Sequence, residues 1–280
     1  MLERPHVQRH APQHHDLLHG PPVAGKTWYE ADARAGGENG FVTGPGTAPL
    51  GTGSLRQTTD SSIGGSSNAK VQLFNYAAFG TDLDLLDTLT FKGYRSSAST
   101  TGAAPHLSLN VQIYANGGTS GFTTLVYEPV YQPGGAGAIL NDTWQTWDAL
   151  QGGTGIWWST QPITGVCATA CYVPWTTITS NNPNATIIGI AFNVGSGITG
   201  QFTGYADALA VGINGDTTTF DFEPTPQCTT TCYVDDGGND LNGGTSPTDA
   251  KKTIQAAIDQ VDAGGTVRVL PGTYSETATN

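Results

Sequence analysis

The sequence predicts an all-β protein whose main part, residues 28–224, is an antiparallel β-sandwich or jelly roll. Three observations carry that prediction. Glycine numbers 38, Thr, Ser and Asn are abundant, and charged residues make up only 12% of the chain, a mixture that suits many short strands joined by tight turns. Several segments alternate apolar and polar residues with period two, the mark of a half-buried antiparallel strand. Between them no segment carries the apolar stripe of a crossover helix, which excludes a parallel βαβ fold. Hydrophobic residues at 37%, with aromatics recurring along the chain, supply a core and exclude disorder.

Residues 1–26 differ in composition from the rest of the chain. They hold His6, His10, His14, His15 and His19 together with Pro5, Pro12, Pro21 and Pro22. Four-residue steps would align the imidazoles on one helix face, able to chelate Zn²⁺ or Ni²⁺, but Pro12 interrupts that helix and nothing apolar anchors it. The segment reads as a disordered or spurious leader. Strands are then predicted at Ala69–Tyr76, Thr88–Arg95, Leu107–Tyr114, Thr123–Tyr131, Thr143–Asp148, Gly155–Ser159, Ala185–Val194, Tyr205–Val211 and Thr218–Phe222. The clearest is the third: Leu107, Leu109, Val111 and Ile113 face one way, Ser108, Asn110, Gln112 and Tyr114 the other, and Asn116-Gly117-Gly118 supplies the turn. Leu83–Leu89 suits one helical turn, and Trp175–Asn182 a short helix or loop ended by Pro183.

Residues 225–244 read as a polar linker, and the pattern changes over 245–280. Ser246-Pro247 offers an N-cap with proline at the first helical position. Ile254, Ala257, Ile258 and Val261 come next at amphipathic-helix spacing, Gly264-Gly265 ends the helix, and Thr266–Leu270 is a strand.

Bulk properties narrow the partners. With 11 Lys plus Arg against 23 Asp plus Glu, formal net charge is −12; such a surface repels nucleic-acid phosphates and anionic lipids, so neither is expected as a partner. No run of 18 apolar residues exists, so no membrane insertion by a helix is expected. Cys167, Cys171, Cys228 and Cys232 form two matching C-x₃-C pairs in small, polar loops. They read as two disulfides in an oxidising, extracellular or cell-surface compartment, with local pairing preferred and a Cys₄ zinc site as the alternative. The chain is expected to be a monomer.

A resemblance enters with the last segment. Tyr233-Val-Asp-Asp, Gly244-Thr-Ser, Lys252-Thr-Ile-Gln-Ala-Ala-Ile258, Gly264-Gly-Thr-Val267 and Pro271-Gly-Thr-Tyr274 with Glu276 resemble the N-terminal cap and first coil of right-handed parallel β-helix proteins of the pectate-lyase-like superfamily. The resemblance covers residues 233–280 and implies a truncated β-helix, because one coil has nothing to stack on and several are needed. It implies polysaccharide lyases, glycoside hydrolases or adhesins as relatives, with catalytic residues on later coils, so no catalytic residue carries over. Residues 28–224 resemble, more loosely, the lectin-like jelly rolls of bacterial secreted proteins, through strand count, Trp144-Gln-Thr-Trp147 and Phe220-Asp-Phe-Glu-Pro224.

Three functions are weighed on that basis: a non-catalytic carbohydrate- or matrix-binding module attached to a β-helix domain, the front of a polysaccharide-degrading enzyme, and a structural or adhesive surface protein. A sugar site needs flat aromatic faces beside hydrogen-bonding groups. Asn110, Gln112 and Tyr114, with Tyr127 and Trp147 on neighbouring strands and Arg95 as donor, are the candidate ligand-binding residues. Trp157 and Trp158 are adjacent, so a strand would point them to opposite faces, one outward. Glu128, Asp142, Asp148, Asp207 and Glu223 are the candidate glycosidase carboxylates, although solvated or turn-capping roles explain them as well. His106, without a G-x-S-x-G elbow, makes a poor triad base. No cofactor is expected; the oxygen-rich Asp235–Asn242 run admits Ca²⁺, with a plain turn as the alternative. No turnover is predicted for this chain.

Overall fold

The computed structural model describes residues 2–3, 7–9, 28–63, 68–102, 106–169, 171–224, 228–240 and 242–274. Of the leader, only the backbone of two short strands is described, β1 (Leu2–Glu3) and β2 (Val7–Arg9); the five histidines considered for metal lie outside the described residues, as does Glu276. The chain divides into two compact units after Glu223.

The first unit is built from two mostly antiparallel sheets. One carries β12 (Val173–Pro174), β11 (Ile156–Ser159), β9 (Phe122–Tyr127), β8 (Ser108–Tyr114), β13 (Thr186–Val194), β6 (Val71–Asn75) and β3 (Trp28–Glu30), in that order. β13 is its spine: the β-branched run Thr186-Ile-Ile-Gly-Ile-Ala-Phe-Asn-Val194 is buried on both faces between β8 and β6, where β-branched side chains pack well on a pleated surface. The other sheet is centred on the long β14 (Gln201–Ile213), flanked on one side by β7 (Leu86–Arg95) and then β10 (Gln145–Asp148). Its other side is shared: β5 (Gly53–Asp60) pairs with Gln201–Ala206 and β15 (Asp216–Phe220) with Leu209–Ile213, and β4 (Gly37–Thr43) lies outside β5. The changeover falls at a bulge where Ala208 takes φ 51°, in the left-handed region.

The sheets face each other across an aromatic core. Phe91 of β7 meets Tyr127 of β9 and Phe192 of β13, edge to face, and Trp28 of β3 meets Phe220 and Phe222. A buried polar chain also crosses the interior: Gln57 Nε2 donates to Asn39 Oδ1 at 2.8 Å, and Asn39 Nδ2 donates to Glu30 Oε2 at 2.9 Å. All nine predicted strand regions contain strands. β3, β4, β5 and β12 were not predicted: the inward positions of β4 and β5 include Asn39, Gln57 and Thr59, so apolar alternation does not mark those two. Leu83–Leu85 forms the expected single turn, as a 3₁₀-helix, and Trp175–Asn181 is helix α1.

The second unit differs from its prediction in three places. The expected linker is partly built into it: Cys228 and Cys232 are buried with Val234 and Ala257, and β16 (Thr231–Val234) pairs in parallel with β17 (Thr266–Val269). Pro247–Asp249 is a separate 3₁₀ turn, so Ser246-Pro247 does not start the helix. Helix α2 (Ile254–Ile258) starts instead at Thr253, whose hydroxyl accepts from Ala256 N at 3.2 Å. Ile254 and Val261 pack on the core, whereas Ile258 is exposed.

Candidate functional site

The candidate site lies at one edge of the β3–β12 sheet, on its outward face. β11 alternates there: Trp157 points inward, fully buried against Tyr127 and Trp175, while Trp158 points outward and is part-exposed. β9 ends at Tyr127, and Glu128 enters a 3₁₀ turn, Pro129–Tyr131, whose proline presets its first residue. Across β11, β12 pairs Pro174 with Ile156 and Val173 with Trp157, and Tyr172 immediately precedes β12. Tyr131 and Tyr172 thus meet over the sheet edge, ring centroids 4.3 Å apart, each 43% exposed. Trp158 Nε1 donates to Glu128 Oε2 at 2.8 Å, and the Glu128 charge acts on the Tyr131 hydroxyl.

Two devices hold this platform. Gln132 stands in for a strand residue: its Nε2 donates to Ile156 O at 2.9 Å and its Oε1 accepts from Ile156 N at 3.0 Å, clamping the Tyr131 turn to β11. The disulfide Cys167–Cys171 closes the loop that delivers Tyr172, and Thr169 N donates to Ser159 O at 2.9 Å, tying that loop to the end of β11. The electrostatics are those of a half-dry site. Burial pushes the Glu128 carboxyl up, against the indole bond that lowers it. The Tyr131 hydroxyl is pushed up to about 12 by its hydrogen bond with Tyr172, by burial and by the Glu128 charge. The Tyr131 and Tyr172 rings lie beside one carboxylate.

The structure does not assemble the six residues singled out in the sequence. Tyr127 is fully buried and Trp147 is 9% exposed; both are core residues, edge-on to Phe91 and His106 respectively. Arg95 is buried as a structural pin, donating to Asn141 Oδ1, Thr101 O and Gly102 O. Asn110 and Tyr114 do lie on the outward face with Gln112, but both are buried there, and Asn110 Oδ1 accepts from Ser108 Oγ. Only Gln112 of the six is part-exposed. Alternation gives the face but not its crowding: an outward row also packs when neighbouring strands carry Phe74 and Val126 on it. That one of Trp157 and Trp158 faces outward was expected, and the structure makes it Trp158; Tyr131 and Tyr172 were not singled out, because no periodicity marks them as a pair.

The carboxylates separate by role. Asp207 accepts from Leu50 N and Phe222 N, Glu223 from Thr52 N and Gly53 N, Asp142 from Ser97 N, and Asp148 from Leu150 N and Gln151 N. These four tie loops to strands, as turn-capping carboxylates do. Glu128 is the one beside exposed aromatic rings. His106 is a core histidine, its ring tucked over Gly93, where a side-chain carbon would lie 2.4 Å from the imidazole; burial holds it down at about 4.

The calcium reading of Asp235–Asn242 is not supported. Lys251 is buried, and its ammonium donates to Asp240 O and Asn242 O, so the protein's own cation occupies that loop. Asp240 accepts from Lys252 N and Thr253 N, and Asp235 from Gly237 N. Among the described residues no group of three or more His, Cys, Asp or Glu is arranged to hold a metal, and both C-x₃-C pairs close on themselves as disulfides, which corrects the zinc alternative. No helix among them is long and apolar enough to cross a membrane.

No protein-family model and no curated protein matches the chain. Among solved structures, an exo-β-agarase matches at 14% identity and a TM-score of 0.36, over 71% of this chain and 25% of the agarase. The chain therefore spans about a quarter of that protein's length. So distant a likeness identifies neither fold family nor activity.

Proposed function

We propose that the sandwich is a non-catalytic glycan-binding module and that its site is the platform of Tyr131, Tyr172, Trp158 and Glu128. The observation that carries this is the pair of exposed tyrosine rings 4.3 Å apart, with the Trp158-bonded Glu128 carboxylate near Tyr131. The C–H face of a pyranose stacks on such rings at little entropic cost, because the rings are already fixed by the Gln132 clamp and the disulfide loop. Glu128 keeps one oxygen for the indole and turns the other to sugar hydroxyls. The engagement of Asp142, Asp148, Asp207 and Glu223 with backbone donors supports binding without hydrolysis, since no second carboxylate then serves Glu128.

The second unit is proposed as the N-terminal cap and first coil of a right-handed parallel β-helix. The parallel β16–β17 ladder and the helix α2 over its buried side support this. Two disulfides support an extracellular or cell-surface location.

The test is a glycan array and insoluble-polysaccharide pull-down with the full chain and its Tyr131→Ala/Tyr172→Ala variant. Binding to at least one neutral polysaccharide that the variant loses, with no release of reducing ends, is the expected result. Retention of full binding by the variant would move the site elsewhere, and reproducible release of reducing ends would refute the non-catalytic assignment.

A further inference from the structure

The second unit carries a cleft that the glycan platform does not use. In the parallel ladder Thr231 lies beside Thr266 and Tyr233 beside Arg268, so alternation sets these four on one face while Cys232, Val234 and Val267 turn to the core. On that open face Thr229, Thr230, Thr231, Thr266, Tyr233 and Arg268 line a cleft of about 550 Å³. That volume lies within the range of small-ligand sites and accommodates more than one sugar ring.

Its chemistry runs against the rest of the molecule. The chain carries 23 acidic residues against 11 Lys plus Arg, yet no Asp or Glu lines this cleft and a guanidinium does. Arg268 is exposed and makes no ion pair among the described residues. It is nevertheless oriented: its guanidinium lies 5.8 Å from the Tyr233 ring centre, and its Nη1 donates to Tyr233 Oη at 3.3 Å. A guanidinium has five donors in a planar fork, so most remain directed outward, in a geometry that matches an oxyanion. Around it, the hydroxyls of Thr229, Thr230, Thr231 and Thr266 make no side-chain hydrogen bond among the described residues.

We propose that this cleft binds the oxyanion of an acidic glycan, a carboxylate or a sulfate ester. Arg268 takes the charged group, the threonine hydroxyls take the sugar's hydroxyls, and Tyr233 keeps the guanidinium in place. Local charge then acts as a filter: the net negative surface slows a polyanion's approach, and only a site that pairs one anionic group directly overcomes it. This site is independent of the platform on the sandwich and stands or falls without it.

The test is a titration of the full-length chain with trimannuronate, a sulfated galactotriose and neutral mannotriose, following the Arg268 Nε–H resonance by NMR and affinity by calorimetry. The expected result is a shift of the Arg268 signal with at least one charged trisaccharide, no shift with mannotriose, and at least a tenfold loss of affinity in Arg268→Gln. Binding of the uronate alone assigns the site to carboxylates, and binding of the sulfated sugar alone assigns it to sulfate esters. Thr231→Val, which removes a hydroxyl and keeps the side chain's shape, is expected to lose several-fold. An unmoved Arg268 resonance with both charged probes, equal binding of mannotriose, or an unchanged affinity in Arg268→Gln would each overturn the proposal.

Discussion

Adjacent residues of one strand carry opposite duties. Trp157 is fully buried and its indole N–H donates to Ala149 O, whereas Trp158 faces outward and bonds Glu128. Trp157→Ala is therefore expected to cost roughly 3–5 kcal/mol of stability, and Trp158→Ala well under half of that, by denaturant unfolding. Two buried titratable groups make a second residue-scale prediction. His106 is held down at about 4, so its contribution to stability is complete above pH 6.5 and is lost as pH falls through about 4. Asp207 is pushed up to about 6, so its contribution is complete below pH 3.8 and is lost as pH rises through about 6. Between pH 4 and 6 the two slopes oppose each other. Asp207→Asn removes one of them, and its stability is expected to fall by roughly 3 kcal/mol more steeply than the parent's between pH 6.5 and 4. Parallel stability–pH curves for the two proteins would contradict this. The opposite facings of Trp157 and Trp158 were legible in the sequence, because strand alternation requires them. The burial of Tyr127 and Trp147 was not, because period two says which residues share a face and nothing about what packs on it.

At the scale of elements, the platform depends on how two turns are held. Cys167–Cys171 closes a short loop, so by loop-closure entropy the bridge contributes only about 2 kcal/mol, and its larger effect falls on where Tyr172 sits. Cys167→Ser/Cys171→Ser and Gln132→Ala are each expected to leave a folded chain with several-fold weaker glycan binding in the pull-down; full affinity in both would show that neither device positions the rings. The bulge in β14 permits a gain instead. Ala208 holds φ 51°, which glycine adopts without its Cβ penalty, so Ala208→Gly is expected to raise stability by about 1 kcal/mol in denaturant unfolding. Strands whose inward residues are apolar were readable: β8 and β13 are built on Leu109, Val111, Ile190 and Phe192. β4 and β5 were hidden because Asn39 and Gln57 point inward and satisfy each other there. The second disulfide loop was read as a connector because the residues around its cysteines are polar, whereas Cys228 and Cys232 are buried with Val234 and Ala257 in the core of the second unit.

Across the whole molecule, composition foretold the architecture better than the site. Glycine-rich, charge-poor sequence does give short antiparallel strands in two packed sheets, and the even cysteines do pair locally. The site escaped because it is made of turn residues brought together by pairing of β9, β11 and β12, a juxtaposition that depends on topology and not on any local pattern. Net charge separates the two proposed sites. Stacking on neutral rings is not screened by salt, so platform binding is expected to change less than about twofold between low and high ionic strength, whereas binding at Arg268 is expected to weaken markedly.

The measurement that bears most directly on the central claim is a binding isotherm for one neutral polysaccharide retained in the pull-down, taken with the parent chain, Trp158→Ala/Tyr172→Ala and Gln112→Ala. Loss of at least tenfold in the double variant with Gln112→Ala close to the parent is the result predicted for a site on the aromatic platform. An unaffected double variant, with the loss falling on Gln112→Ala, would contradict it and return the site to the outward face of β8.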